Sequence, residues 1–174
     1  VLLTVTDMAG NTATCHTFVT VADTMSPVAL CHNVTVILDA GGNGTLTAQQ
    51  ADNGSYDVCG IAGMALSKTA FSCDDVPFNP NPVDLVVTDI AGNTSICSLL
   101  VTVTDETAPE ALCKNVTVNL DASGNVILAP QQLDNGSSDA CGIAGMVIDK
   151  TFFTCDDLLT NPNLVTLTVT DING

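Results

Sequence analysis

The 174-residue chain has no tryptophan and no arginine, one tyrosine, and only three lysines, Lys68, Lys114 and Lys150, against 19 acidic residues. The resulting formal charge of −16 excludes a nucleic-acid partner bound through its phosphates and argues against anionic membrane surfaces. No apolar run approaches the roughly 20 residues of a membrane span, so no membrane insertion is expected. No segment carries a convincing helical period. A Ser-His-Asp set, a phosphate-binding glycine loop and paired catalytic carboxylates are all missing, so the chain is not expected to be an enzyme. His16 and His32 are the only histidines, and neither recurs in the pattern described next.

The chain repeats itself. VTDMAGNTATC at 5–15 returns as VTDIAGNTSIC at 87–97 and again as VTDING at 169–174. The copies lie 82 residues apart without a gap, and the cysteines follow the same step: Cys15 maps to Cys97, Cys31 to Cys113, Cys59 to Cys141 and Cys73 to Cys155. His16 and His32 become Ser98 and Lys114 one period on, so a repeated function cannot rest on them. A period of 82 is too long for a solenoid repeat and suits a small, marginally stable domain. The expected organisation is 1–22 as the last two strands of one repeat, 23–104 as a complete repeat, and 105–174 as a second repeat lacking its final strand.

Strands dominate the pattern. Val83, Leu85 and Val87 alternate with polar residues, as do Val1, Leu3, Val5 and Val165, Leu167, Val169. Each set reads as a β-branched-rich strand with one buried face. Cys97, Leu99, Val101 and Val103 alternate likewise. DIAGN between these runs is a turn, with Asp at its start and Gly where positive φ is cheap. About seven short strands are expected per repeat, near 27–31, 33–38, 44–49, 61–67, 69–73, 83–89 and 95–104. The fold class is therefore all-β, as tandem immunoglobulin-like sandwiches.

The phrase D-x-x-x-P-x-x-x-C at Asp23–Cys31, followed by NVTV, D-x-C-G at Asp57–Gly60, and VTDIAGNTSIC leading into VTVTD, resembles the hyalin-repeat (HYR) family and similar arrays in bacterial surface proteins. The resemblance covers nearly the whole chain. It implies an immunoglobulin-like sandwich in an extracellular or cell-surface, adhesive or structural protein without enzymatic activity, and its look is bacterial. One departure is visible: many hyalin repeats read D-N-C-G, whereas GSYDV or GSSDA separates DN from CG here.

Four cysteines per repeat at recurring positions point to disulfides and an oxidising compartment. Strand directions suggest the pairing. Cys31 and Cys97 lie early on strands that both leave the N-terminal pole. Cys59 enters, and Cys73 leaves, an expected hairpin over 61–71. The expectation is Cys31–Cys97, Cys59–Cys73 and Cys141–Cys155, with Cys15 and Cys113 bonded to neighbouring repeats. A Cys15–Cys31 bond is disfavoured, because residues 15 to 23 carry the chain away from Cys15.

Two readings account for the incomplete repeats. The chain is a window on a longer continuous array, or a protomer whose segment Thr12–Val21 completes a neighbour's open sandwich. The duplicated sixth strand (1–10 repeating 165–174) favours the window. Either way, the partners are adjacent repeats or copies of the chain, head to tail.

Acidic residues gather toward one pole. Asp23, Asp52, Asp57 and Asp89, their counterparts Asp105, Asp134, Asp139 and Asp171, and Glu106 beside Asp105 offer the hard oxygens that calcium takes. Asp and Asn also build turns without any ion, and no cofactor is required. Thr24, Asn33 and Asn115 are candidate glycan acceptors. The expected function is the shaft of a surface fibre, filament or adhesin, stiffened by disulfides and by calcium. The alternative is an adhesion module binding carbohydrate or protein through its loops, with the divergent stretch 76–82 as the place to look.

Overall fold

The structure, a computed structural model, describes residues 1–173. It is mostly β, in several sheets, and its few helical segments are short. The elements in chain order are β1 (Leu2–Thr6), β2 (Thr12–His16), β3 (Val34–Ile37), β4 (Asn43–Thr45), α1 (Ala48–Ala51), β5 (Ile61–Leu66), β6 (Ala70–Ser72), β7 (Asn81–Asp89), β8 (Thr94–Thr104), β9 (Asn125–Ile127), α2 (Pro130–Leu133), β10 (Ile143–Ile148), β11 (Phe152–Thr154) and β12 (Leu167–Asp171). Two 3₁₀ turns, Cys73–Phe78 and Cys155–Thr160, follow β6 and β11.

The middle repeat is the most complete. Its larger sheet has the order β3-β8-β7-β5, with β3 parallel to β8 and the other neighbours antiparallel. A second sheet pairs β4 with β6. Alternation in β7 buries Val83, Leu85 and Val87, and in β8 it buries Leu99, Val101 and Val103. These side chains share one core with Val36, Leu38, Leu46, Ala51 and Phe71, so the two sheets enclose a common apolar layer. With so few aromatics, that layer is built almost entirely from Val and Leu.

The turns follow a single recipe. In the β7–β8 turn the Asp89 carboxylate accepts from the Asn93 N–H and from the Asn93 side-chain amide, both at 2.8 Å. Gly92 takes the positive φ (92°) that closes the turn. Asp7, Asp39 and Asp121 likewise accept from the Asn11, Asn43 and Asn125 N–H groups; the Asn11 side-chain amide also donates to Asp7, whereas those of Asn43 and Asn125 donate to the Gly41 and Ser123 carbonyls.

Three expectations are revised. The strand near 27–31 is reduced to isolated bridges, Val28 with Tyr56 and Cys31 with Asp52. The segment after β4 winds into α1, held by a capping box in which the Thr47 hydroxyl accepts from the Gln50 N–H and the Gln50 side chain accepts from the Thr47 N–H. And 61–71 is not a hairpin. β5 pairs with β7, whereas β6 pairs with β4 in the other sheet. Because β4 runs back from the turn after β3, β6 continues in the direction of β5 instead of returning.

Equivalent residues meet very different environments in the three copies. Val83, Leu85 and Val87 are at most 1% exposed, whereas Val1, Leu3 and Val5 of the β1–β2 hairpin are 75, 57 and 60% exposed. Leu167, the counterpart of Leu85 in the third copy, is 7% exposed, and the second repeat has only a small core, of Leu128, Leu133 and Phe153, to which Leu167 does not belong. Leu85→Ala is therefore expected to destabilise the chain by about 2–5 kcal/mol, Leu167→Ala by less, and Leu3→Ala by no more than about 0.5 kcal/mol. Urea unfolding of the three variants checks this order.

Candidate strand-accepting groove and repeat junction

In the middle repeat, β8 is gripped on both sides. Its residues 101–104 pair with β3 (Val34 with Val101, Val36 with Val103) and its residues 94–101 with β7. Two asparagines extend the grip. The Asn33 side-chain oxygen accepts from the Leu100 N–H at 2.9 Å. Asn79 accepts from the Val103 N–H at 2.8 Å and donates to the Val103 carbonyl at 2.6 Å, continuing the ladder beyond the start of β7.

In the second repeat the corresponding residues border an open groove. A groove of about 620 Å³ is lined by Cys113, Asn115, Val116, Val118, Phe153 and Asn161, among others. Asn115 and Asn161 are the counterparts of Asn33 and Asn79. Among the described residues neither has the backbone partner that its counterpart holds. Residues 116–119, the counterpart of β3, are not in a strand, as expected of a segment whose ladder partner is a β8-type strand. Thr12–Val21 has the sequence register of that strand: Cys15, Thr17, Val19 and Val21 correspond to Cys97, Leu99, Val101 and Val103. The segment is exposed along its length, with Phe18 and Val19 among its exposed apolar residues.

The cysteines define the junction. Cys31 is bonded to Cys97, with a Cα–Cα distance of 5.9 Å. Cys73 is bonded to Cys141, with a Cα–Cα distance of 5.0 Å, across the boundary between the repeats. This corrects the expected Cys59–Cys73 and Cys141–Cys155 pairs. The cause is the direction of β6, which carries Cys73 away from Cys59 to the far pole, beside the Gly42 turn, where its sulfur lies 3.7 Å from the Gly42 carbonyl oxygen. Cys141 packs there against the core of the preceding repeat. Cys15, Cys59, Cys113 and Cys155 are free and exposed.

The acids expected to hold calcium divide. Asp23 and Asp57 converge with Cys59, and Asp105 and Asp139 with Cys141, each set having its ligand atoms within 4.8 Å of one another. Asp52, Asp89, Glu106, Asp134 and Asp171 belong to neither set. Most of these carboxylates serve their own loops: Asp52 accepts from the Gly54 and Ser55 N–H groups, Asp134 from Ser137, Asp57 from Cys59, Asp139 from Cys141 and Gly142, and Asp171 from Asn173. Asp89 is buried, which opposes its ionisation, yet the hydrogen bonds from the Asn93 side chain and backbone and from the Gly92 and Ala91 N–H groups hold its carboxyl below the usual range. The Asn93 amide also donates to the Asp23 and Met25 carbonyls, tying this turn to the linker. A hydrogen bond to Asp23 and the negative charge of Asp23, Asp57 and Asp89 push the Cys59 thiol up. Of the glycan candidates, Thr24, Asn33 and Asn115 are all exposed.

The loop at 76–82 is occupied structurally. Asn79 grips β8, and Asn81 donates to the Asp75 carbonyl at 3.1 Å. Lys68 and Lys150, which recur in the sequence, pair with Asp75 and Asp157 and lie over the rings of Phe71 and Phe153. The signal missed in the sequence was the cross-repeat cysteine pair, whose spacing of 68 residues nearly equals the 66 of Cys31–Cys97.

Peptide mapping under non-reducing conditions is expected to find Cys73 joined to Cys141, and the Cys73→Ser/Cys141→Ser double variant to lose about 2–4 kcal/mol of stability while keeping Cys31–Cys97. No protein-family model, no curated protein and no solved structure matches the chain.

Proposed function

We propose that the chain is a non-enzymatic, extracellular shaft: tandem immunoglobulin-like β-sandwiches of the hyalin-repeat type, joined head to tail into a surface fibre or adhesin. The observation that carries this reading is the groove of the second repeat, whose asparagines and apolar lining match those that hold β8 in the middle repeat. The natural occupant is a β8-type strand such as Thr12–Val21, supplied by an adjacent repeat or by a second copy. Such a contact pairs backbone along a whole strand and repeats without closing, which builds filaments.

The strand order β3-β8-β7-β5, with a parallel first pair and a second sheet sharing the core, is consistent with an immunoglobulin-like arrangement. The two disulfides argue for an oxidising, non-cytoplasmic compartment. Among the described residues no helix is long and apolar enough to cross a membrane. The likeness of exposed turns between copies suits a shaft better than a ligand site, which would sit in a divergent loop. The asparagines of the divergent loop at 76–82 are already engaged by the fold.

The purified chain is expected to form unbranched filaments under oxidising conditions, with Cys113 of one copy bonded to Cys15 of the next, by electron microscopy and peptide mapping. A stable monomer with both of those thiols open to alkylation would sink the reading. Calcium is its accessory part: Asp23 with Asp57, and Asp105 with Asp139, are the carboxylate pairs that would take the ion. On that basis EDTA lowers the Tm, since an ion bound only to the folded state stabilises it. An unchanged melting curve would leave these acids as turn formers alone.

A further inference from the structure

The Cys73–Cys141 bond has two halves, and each half recurs in the chain without its mate. The receiving half is Cys73 against the Gly42 turn. Its counterpart is Cys155 against the Gly124 turn, with the sulfur 3.8 Å from the Gly124 carbonyl oxygen, compared with 3.7 Å for Cys73 and Gly42. The inserting half is the Asp139-Ala140-Cys141 loop, in which the Asp139 carboxylate accepts from the Cys141 N–H at 2.8 Å. Its counterpart is Asp57-Val58-Cys59, where Asp57 accepts from the Cys59 N–H at 2.7 Å. The two half-sites are therefore folded alike whether or not they are joined.

What differs is the cover. At the joined site, a Cβ placed on Gly42 would lie 3.4 Å from the Ala140 Cβ, so the inserting loop is seated directly on the turn. At Gly124, the only neighbour such a Cβ would meet among the described residues is the Cys155 sulfur. Cys73 and Cys141 are partly buried, whereas Cys155 and Cys59 are exposed, and Val58, in the place of Ala140, is 98% exposed. Each free half presents the surface that its counterpart covers.

We propose that Cys155 of one copy of the chain forms a disulfide with Cys59 of the next, repeating the Cys73–Cys141 junction between copies. Sequence register supports this. Counting the 68 residues of the Cys73–Cys141 separation on from Cys155, then stepping back two repeats, lands on Cys59. Counting the 66 residues of Cys31–Cys97 on from Cys113 and stepping back equally lands on Cys15. One head-to-tail placement, in which β1 of the next copy gives way to β12, whose place it duplicates, thus pairs all four free thiols at once, two bonds per junction. The inference deepens the shaft reading and rests on it for the head-to-tail register.

Bond formation needs a two-electron acceptor, here a disulfide oxidant such as oxidised glutathione. One cysteine displaces a carrier thiol to form a mixed disulfide, breaking the carrier's S–S bond. The thiolate of the other then attacks that mixed disulfide and releases the second carrier thiol, so two protons leave the protein thiols and the carrier is reduced.

The test uses the full chain in a glutathione redox buffer, as an equal mixture of isotopically heavy and light preparations. Non-reducing mapping is expected to give a Cys59–Cys155 peptide pair with one heavy and one light half. Cys155→Ser is expected to lower that linked species at least ten-fold, and a Cys15→Ser/Cys113→Ser variant to retain it. Cys59 and Cys155 found alkylatable in assembled filaments, joined within one chain, or paired only with their own kind would overturn the proposal while leaving the shaft reading standing. Cys59–Cys155 linkage in particles that are not extended would keep the junction and remove the shaft.

Discussion

The middle repeat depends on one strand. β8 supplies Leu99, Val101 and Val103 to the core, pairs with β7 and β3, and carries Cys97 to Cys31. Its parallel partner β3 is an edge strand with no other neighbour in that sheet among the described residues. Without β8, β3 has no ladder, the apolar faces of Val34 and Val36 lose their cover, and the amides of Asn33 and Asn79 lose the backbone they hold. The second repeat shows what remains under those conditions: a sheet of β10 with β12, a pair of β9 with β11, and a smaller core around Leu128, Leu133 and Phe153. A domain of this size with almost no aromatic residues has little apolar area in reserve, so one strand decides whether its core is closed.

Much of this was legible in the sequence because the relevant signals are local. Period-two alternation of Val and Leu against Thr marks β7, β8 and β12, and the Asp-x-x-Gly-Asn turns between strands follow from side-chain hydrogen bonding within five residues. The exact 82-residue step makes each reading checkable against its copy. Two kinds of feature escaped. The helix α1 has only four residues, too few to show a period, although Thr47 and Gln50 form a capping signature visible in the sequence. The path of β6 is the more instructive case. Short apolar runs separated by a few polar residues look like a hairpin whether the second strand turns back or crosses to the other sheet. That choice is made by which neighbours have unpaired edges, here β4 and β7, and is not written in the run itself. The cysteine pairing at the far pole followed from it.

The charge balance fits the same physical picture. Nineteen acids with three lysines repel one another over the surface, and the acids at the linker pole would repel across the junction. Many are stabilised locally, by backbone N–H groups in turns or, for Asp75 and Asp157, by pairing with Lys68 and Lys150. The Cys73–Cys141 bond then holds together two repeats that electrostatics alone would push apart.

The Cys31–Cys97 bond has a mechanical consequence. Tension applied along the chain enters the repeat at Asp23 and can pass through the sulfurs to Cys97, bypassing the 65 residues between them. If the sandwich were pulled open, that bypassed length could not be paid out. At about 3.4 Å per extended residue, roughly 220 Å of slack per repeat stays locked. A repeat bonded in this way transmits force along the chain instead of absorbing it.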